Sequence, residues 1–253
     1  GVSHLVQSTR AGADYGWGLV WALLLINLFK YPFFQYGPRY AQATGETLLD
    51  GYFKLGKGYL WAYFFVNLGT MFTIQSAVTV VTAGLASKLF GITDDIVIWS
   101  VIITLFCSII LILGRYQWLD KFIKVIMVCL AISSVLAVGI AFLNNESPSF
   151  KQVFPEGSGL LFLIAFLGWM PAPLDISIWH SIWTLEKNKT QQKKYSISES
   201  LFDFNVGYIA TTFLALCFVG LGSLVMFGTG MEFSKQGGAF AGQLIQLYTS
   251  SLG

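Results

Sequence analysis

Charge is what this chain has least of. Of 253 residues, 15 are Lys or Arg and 13 are Asp or Glu, together 11%, against about 25% in a soluble globular domain. Hydrophobic residues reach 55% and the mean hydropathy is +0.66. That balance excludes a water-soluble domain and points to a membrane protein, and no stretch is long enough to form a soluble domain beside it. Cysteine is scarce as well. Cys107, Cys129 and Cys217 each fall in an apolar stretch with no CxxC pairing, which argues against disulfides or metal ligands and leaves three small core residues. There is no nucleophile–base grouping, no phosphate-cradling glycine motif and no nucleic-acid patch, so neither an enzyme nor a nucleic-acid-binding protein is expected, and no cofactor. The chain starts at Gly1 rather than Met and shows no cleavable signal sequence; it reads as a fragment of a longer protein.

What is present is a series of long apolar runs. A window of roughly 20 residues picks out six spans, at 16–34, 58–85, 96–113, 122–142, 160–183 and 204–226, behind a truncated first one. The tail 237–248 is amphipathic or the start of a further span. Placing residues 13–15 outside puts the loops 38–57, 114–124 and 186–200 inside. Those loops carry ten Lys or Arg and the outside segments four, a positive-inside bias that sets the orientation. Tyr15, Trp17 and Trp21 at the outer end, with Tyr36 and Tyr40 at the inner, suit interfacial belts. Lys30, beside Tyr31 and Pro32, reads as a lysine snorkelling to the inner interface, with a gating or ion-pairing role as the alternative. The cluster 187–194 reads as a cytoplasmic loop near anionic lipid.

Two breaks interrupt the apolar pattern. The first is Gly1-Val2-Ser3-His4, leading into Leu5-Val6-Gln7-Ser8-Thr9-Arg10-Ala11-Gly12-Ala13. The second is Gly168-Trp169-Met170-Pro171-Ala172-Pro173-Leu174-Asp175, inside the run 159–183. Pro171 and Pro173 have no backbone donor, so no intact helix passes through them. Within a membrane such a break is tolerated where it is buried in protein or lines a cavity. Paired breaks in corresponding helices are the best sequence pointer to a carrier's substrate site. Asp175 adds an ionisable group costing roughly 2.5–3.5 kcal/mol near a bilayer centre, a candidate for function by default.

The order of these elements resembles the natural-resistance-associated macrophage protein (Nramp) family of divalent metal transporters. The first stretch is similar to that family's D-P-G-N followed by Q-A-G-A, with Gly1-Val2-Ser3-His4 in the first slot and Arg10-Ala11-Gly12-Ala13 in the second. Tyr15-Gly16-Trp17-Gly18-Leu19-Val20-Trp21, Asn27-Leu28 and Ala43-Thr44-Gly45-Glu46-Thr47-Leu48 resemble its second helix and exit. Met170-Pro171-Ala172 is similar to its M-P-H. The likeness covers nearly the whole chain. It implies an all-α polytopic membrane protein, an inverted-repeat transporter fold of five plus five helices with unwound first and sixth helices. The chain would be a single transporter domain, truncated at both ends, running from the end of helix one through helix seven or the start of eight. In the family the metal is held by the Asp and Asn of the first break, the Met of the second and nearby carbonyls. Here Gly1 stands in the Asp slot and His4 in the Asn slot, while Met170 is retained and Ala172 replaces the His. Span 58–85 holds no Asp or Glu, although the family places proton-relay acids there. Proton coupling is therefore open, and a change of substrate toward a hydrated ion such as magnesium is consistent with these departures.

Taken by themselves, the residues suit several cations. Imidazole at His4 suits borderline metals such as zinc, manganese's neighbours or iron, and thioether at Met170 softer ones, while Asp175 suits a hard or hydrated one. Asp175 also suits a helix N-terminal cap. His4, Gln7, Ser8 and Ala11 follow i, i+3, i+4, i+7 spacing, a polar stripe that would line an aqueous path, or else pack helix on helix. His180 is five residues past Asp175, off its face of the helix; it reads as a packed or interfacial histidine, with proton transfer as the lesser role. Asp203 and Asn205 read as capping or loop contacts. The expected function is transport of a divalent cation (manganese, iron or magnesium) by alternating access, with the protein a multi-pass integral component of a bacterial-type plasma membrane. His4, Met170 and Asp175 would contribute, with carbonyls around Gly1 and Ala172. The alternatives are an organic-solute carrier of amino-acid type on the same fold, whose half-helix pole would bind a carboxylate, and a non-transporting sensor or assembly subunit.

Overall fold

The computed structural model describes residues 3–113, 116–144, 149–193 and 195–230, and, beyond these, 233, 234, 239, 242, 243, 245–247 and 249. Among them there is no strand. A π-helical turn, Ser3–Ser8, runs directly into α1 (Thr9–Tyr15). There follow α2 (Val20–Thr44), α3 (Leu48–Leu55), α4 (Lys57–Phe90), α5 (Ile96–Leu113), α6 (Tyr116–Leu143), α7 (Ser158–Trp169), α8 (Ile176–Gln191) and α9 (Ile197–Val225). Three helices are long and apolar enough to cross a membrane by length and composition: α4, α6 over Lys121–Leu143, and α9. Half of the tail expected at 237–248 lies outside the described residues.

The core forms where α1, α2, α7 and α9 meet. Ala11, Leu19, Ala22, Leu23, Leu163, Phe166, Met170, Ala215 and Val219 are buried together there. The α1–α9 contact is backbone on backbone. A Cβ added to Gly12 would fall 2.1 Å from the Val219 carbonyl oxygen, and one added to Gly222 would fall 2.1 Å from that of Thr9. Small residues on facing helices permit such an approach. At the start of α2, Trp17 packs on Phe150 and Trp21 on Phe154, and the Trp21 indole N–H donates to the Val153 carbonyl at 2.9 Å. The segment 150–154 thus lies over the α1–α2 junction, and these tryptophans are held by protein contacts rather than only facing an interface.

Two stretches expected as loops are largely helical. The first, 38–57, contains the end of α2, which continues through Pro32 and Pro38 to Thr44, and all of α3. Gly45 ends α2 in a left-handed conformation (φ 74°) with its N–H on the Ala41 carbonyl, the usual helix stop. Thr47 then starts α3 through a reciprocal capping box with Asp50. The second, 186–200, is shortened because α8 runs to Gln191 and a Ser196–Glu199 capping box opens α9. Lysines there are matched by acids: Lys187 with Asp203 at 2.7 Å, Lys193 with Glu199 at 3.3 Å. Asp203 therefore ties α8 to α9. Asn205 accepts the Tyr31 hydroxyl at 2.7 Å, tying α9 to α2.

The α3 cap carries a prediction. The hydrogen bonds from the Thr47 hydroxyl and then its backbone N–H hold the Asp50 carboxyl below its ordinary range. A depressed carboxyl contributes stability above its unfolded pKa of about 3.9, lost as pH falls through the lower folded value. Amide exchange in α3 is expected to rise on acidification below about pH 4, and Thr47→Ala is expected to raise it already at pH 7, a cap being worth about 1 kcal/mol. Equal protection in Thr47→Ala and the parent at pH 7 would remove the cap as its cause.

Candidate functional site

The second break is real and lies where the prolines put it. Helix α7 ends at Trp169, and helix resumes at Ile176 with Asp175 as the flanking residue. The last four carbonyls of a helix have no partner within it. Here the Met170 N–H reaches back to the Phe166 carbonyl at 3.0 Å. The next two carbonyls are taken by an unexpected donor: Lys30 Nζ donates to Leu167 O at 2.9 Å and Gly168 O at 2.8 Å, and then to Ala172 O in the break itself at 3.3 Å.

Lys30 is thus not a snorkelling lysine. It is 8% exposed and sits ten residues after the start of α2 at Val20 and fourteen before its end at Thr44. At 1.5 Å per residue those distances are about 15 and 21 Å, longer than a lysine side chain. Its neighbours Tyr31 and Pro32 suggested the end of a span, but the helix passes through them. Among the described residues no carboxylate pairs with it, and its charge is met by the negative pole of α7.

The first break meets the second through Ser8. Its hydroxyl donates to the Met170 sulfur at 3.4 Å, and both residues are fully buried. Ser3–Ser8 is a π turn rather than an α-helix, so the i, i+3, i+4 stripe does not stand on one face. Ser8 and Ala11 are buried, Ser8 against Met170 and Ala11 in the same core, while Gln7 is half-exposed with its Oε1 enclosed and without a partner among the described residues. Single π turns inside α-helices concentrate at functional sites. Gly1 lies outside the described residues.

A cavity of about 840 Å³ opens beside the two breaks. His4, Ala172 and His180 line it, and it extends to Lys187, Tyr195 and Glu199 at the α8–α9 end. His180 forms part of the wall, its ring edge-on to Trp183 and Phe204 at 5.8 and 5.5 Å, which is a packed histidine. Asp175 is not among the lining residues. It flanks α8 without capping it, and its Oδ1 is enclosed with no partner among the described residues. The structure therefore sets His4, Ala172 and His180 on one cavity, buries Ser8 against Met170 in the core outside its lining, and sets Asp175 apart. No group of three or more His, Cys, Asp or Glu able to hold a metal occurs among the described residues.

Sequence reasoning read Lys30 as a snorkelling lysine, with gating or ion pairing as the alternative, and did not count it among the site residues. A lone lysine in an apolar stretch is itself a signal of function. The Asn27 node was missed too: its side chain accepts from Thr212 at 2.9 Å and its carbonyl from Tyr208 at 2.6 Å.

Residues 1–251 match the family model described as "Natural resistance-associated macrophage protein-like". An uncharacterized protein of Pasteurella multocida (strain Pm70) is 39% identical over 259 residues, covering 100% of this chain and 59% of the relative's length. The chain thus spans well under two thirds of that relative. No solved structure gives a significant match.

Proposed function

Because the chain belongs to the Nramp family and is an integral membrane protein, we propose that it is part of a multi-pass carrier of the plasma membrane. It moves a divalent metal cation by alternating access through the space between the two breaks, as a single transporter domain. The observation that supports this most is the cavity running from His4 and Ala172 to the Lys187–Glu199 end, while the aromatic pairs of Trp17 and Trp21 cover the opposite side. That is the form a carrier takes when open to its basic, inner face. His4 and Met170 are the softer donors and break carbonyls the harder ones, a mixed set suited to manganese or iron; Asp175 would act from the start of α8, on an ion in passage or a proton.

The test is uptake by the complete gene product in proteoliposomes, comparing manganese, magnesium and calcium under an imposed proton gradient. Manganese uptake is expected. Met170→Ala is expected to lower it about tenfold, equivalent to 1.4 kcal/mol, with membrane insertion intact, and Asp175→Ala to lower it as well. Unchanged uptake in both variants would refute the assignment. Magnesium flux without manganese preference would mark a hydrated-ion carrier. One observation favours a second reading: the Lys30 ammonium at the break would suit the carboxylate of an organic solute, and absence of flux for every ion would turn the assignment that way.

A further inference from the structure

We propose that Lys30 is a tethered cation: its ammonium holds the carbonyl end of α7 in competition with the transported ion, and so determines what the site admits. The proposal rests on the cation-carrier reading. It starts from the carbonyl arrangement. A helix that stops inside a membrane protein leaves acceptors at its C-terminal pole, where a positive charge is favoured. At α7 those acceptors are Leu167 O and Gly168 O, and the break adds Ala172 O. An ammonium has three N–H donors and no acceptor, and all three are matched here. No carboxylate among the described residues shares the charge, so these carbonyls are what stabilise it.

Carbonyl oxygens of this kind are also the ligands a hard cation requires. An ion that coordinates Ala172 O, or the adjacent pole of α7, would meet the Lys30 ammonium on the same oxygens and be repelled by it at short range. Ion entry then needs Lys30 to swing away or give up its charge; otherwise the ion is confined to the His4 and Met170 side, where nitrogen and sulfur favour softer metals. Arginine would keep the charge but present a planar fork in place of a compact ammonium.

The experiment is manganese titration of the complete protein in detergent by calorimetry, alongside manganese flux of the wild type in proteoliposomes. Lys30→Met removes the charge at similar length and is expected to bind manganese at least about tenfold more tightly than wild type, whereas Lys30→Arg is not. Affinity in Lys30→Met equal to or weaker than wild type overturns the proposal. Should Lys30→Met fail to give monodisperse protein, Lys30→Gln, whose amide still donates to two carbonyls but is neutral, is judged by the same criterion. A wild type that carries none of manganese, magnesium and calcium would end the cation-carrier reading and, with it, the competition with a transported ion, whatever the variant binds. Wild-type flux with equal affinities would keep that reading and overturn the role of Lys30.

Discussion

Replacing Gly222 by alanine is expected to destabilise the protein by about 3 kcal/mol or more, the upper end for overpacking, because nothing nearby can give way. The new Cβ would lie 2.1 Å from the Thr9 carbonyl oxygen and 2.8 Å from the Ala13 nitrogen, both main-chain atoms within α1. Gly12→Ala makes the mirror-image clash with Val219 O at 2.1 Å and Ser223 N at 2.8 Å. Relief would require α1 and α9 to separate, and with them Ser8, which touches Met170. Gly207 lies on the same helix with nothing within 4 Å of an added Cβ, so Gly207→Ala is expected to be neutral or stabilising by up to about 1 kcal/mol. Thermal melts of the three variants followed by size-exclusion chromatography decide it. A Gly222→Ala protein that melts with Gly207→Ala would mean that the close approach is not a source of stability.

The second large effect is expected at Gly37. A Cβ there would fall 2.2 Å from the Ser177 carbonyl oxygen, in the first turn of α8, and 3.4 Å from the His180 Cβ. Gly37→Ala should therefore lift α8 from α2, at a cost of about 3 kcal/mol. Since the obstacle is a backbone oxygen, trimming the serine cannot help. The double variant Gly37→Ala/Ser177→Ala is expected to melt no higher than Gly37→Ala alone. Recovery in the double variant would place the conflict in the side chain and contradict the geometry.

How much of this was readable in advance differs by element. The break at 170–175 was legible because Pro171 and Pro173 remove donors that a helix needs, whatever surrounds them. The ends of α5 were legible for a similar reason: its apolar run is bounded by polar residues. The inner end of α2 was not. Pro32 and Pro38 look like terminators, yet the helix passes both and is stopped only at Gly45. A proline disturbs a helix locally, and packing against neighbouring elements decides whether the helix survives. That reading put Lys30 near the end of a span rather than in the middle of a helix, with gating or ion pairing left as the lesser alternative. The π turn at Ser3–Ser8 left no mark in composition, since it depends on how the segment meets α9 and the second break. Asp175 does stand at the start of a helix, as a capping residue would, but its carboxylate makes no cap bond there.

The joints between α2 and α8 carry one more consequence. Besides the Gly37–Ser177 contact, the Leu48 N–H donates to the Ser181 hydroxyl at 3.1 Å, and Gln42 and Asn188 exchange amide hydrogen bonds at 3.3 and 3.0 Å. Two of these ties join α2 to α8 and the third joins α8 to the start of α3, so α2 and α8 behave as one lever with α3 attached. Any swing that narrows the cavity must carry α2 together with α8. The fulcrum is then the six-residue stretch from Met170 to Asp175, where Pro171 and Pro173 supply no backbone donor.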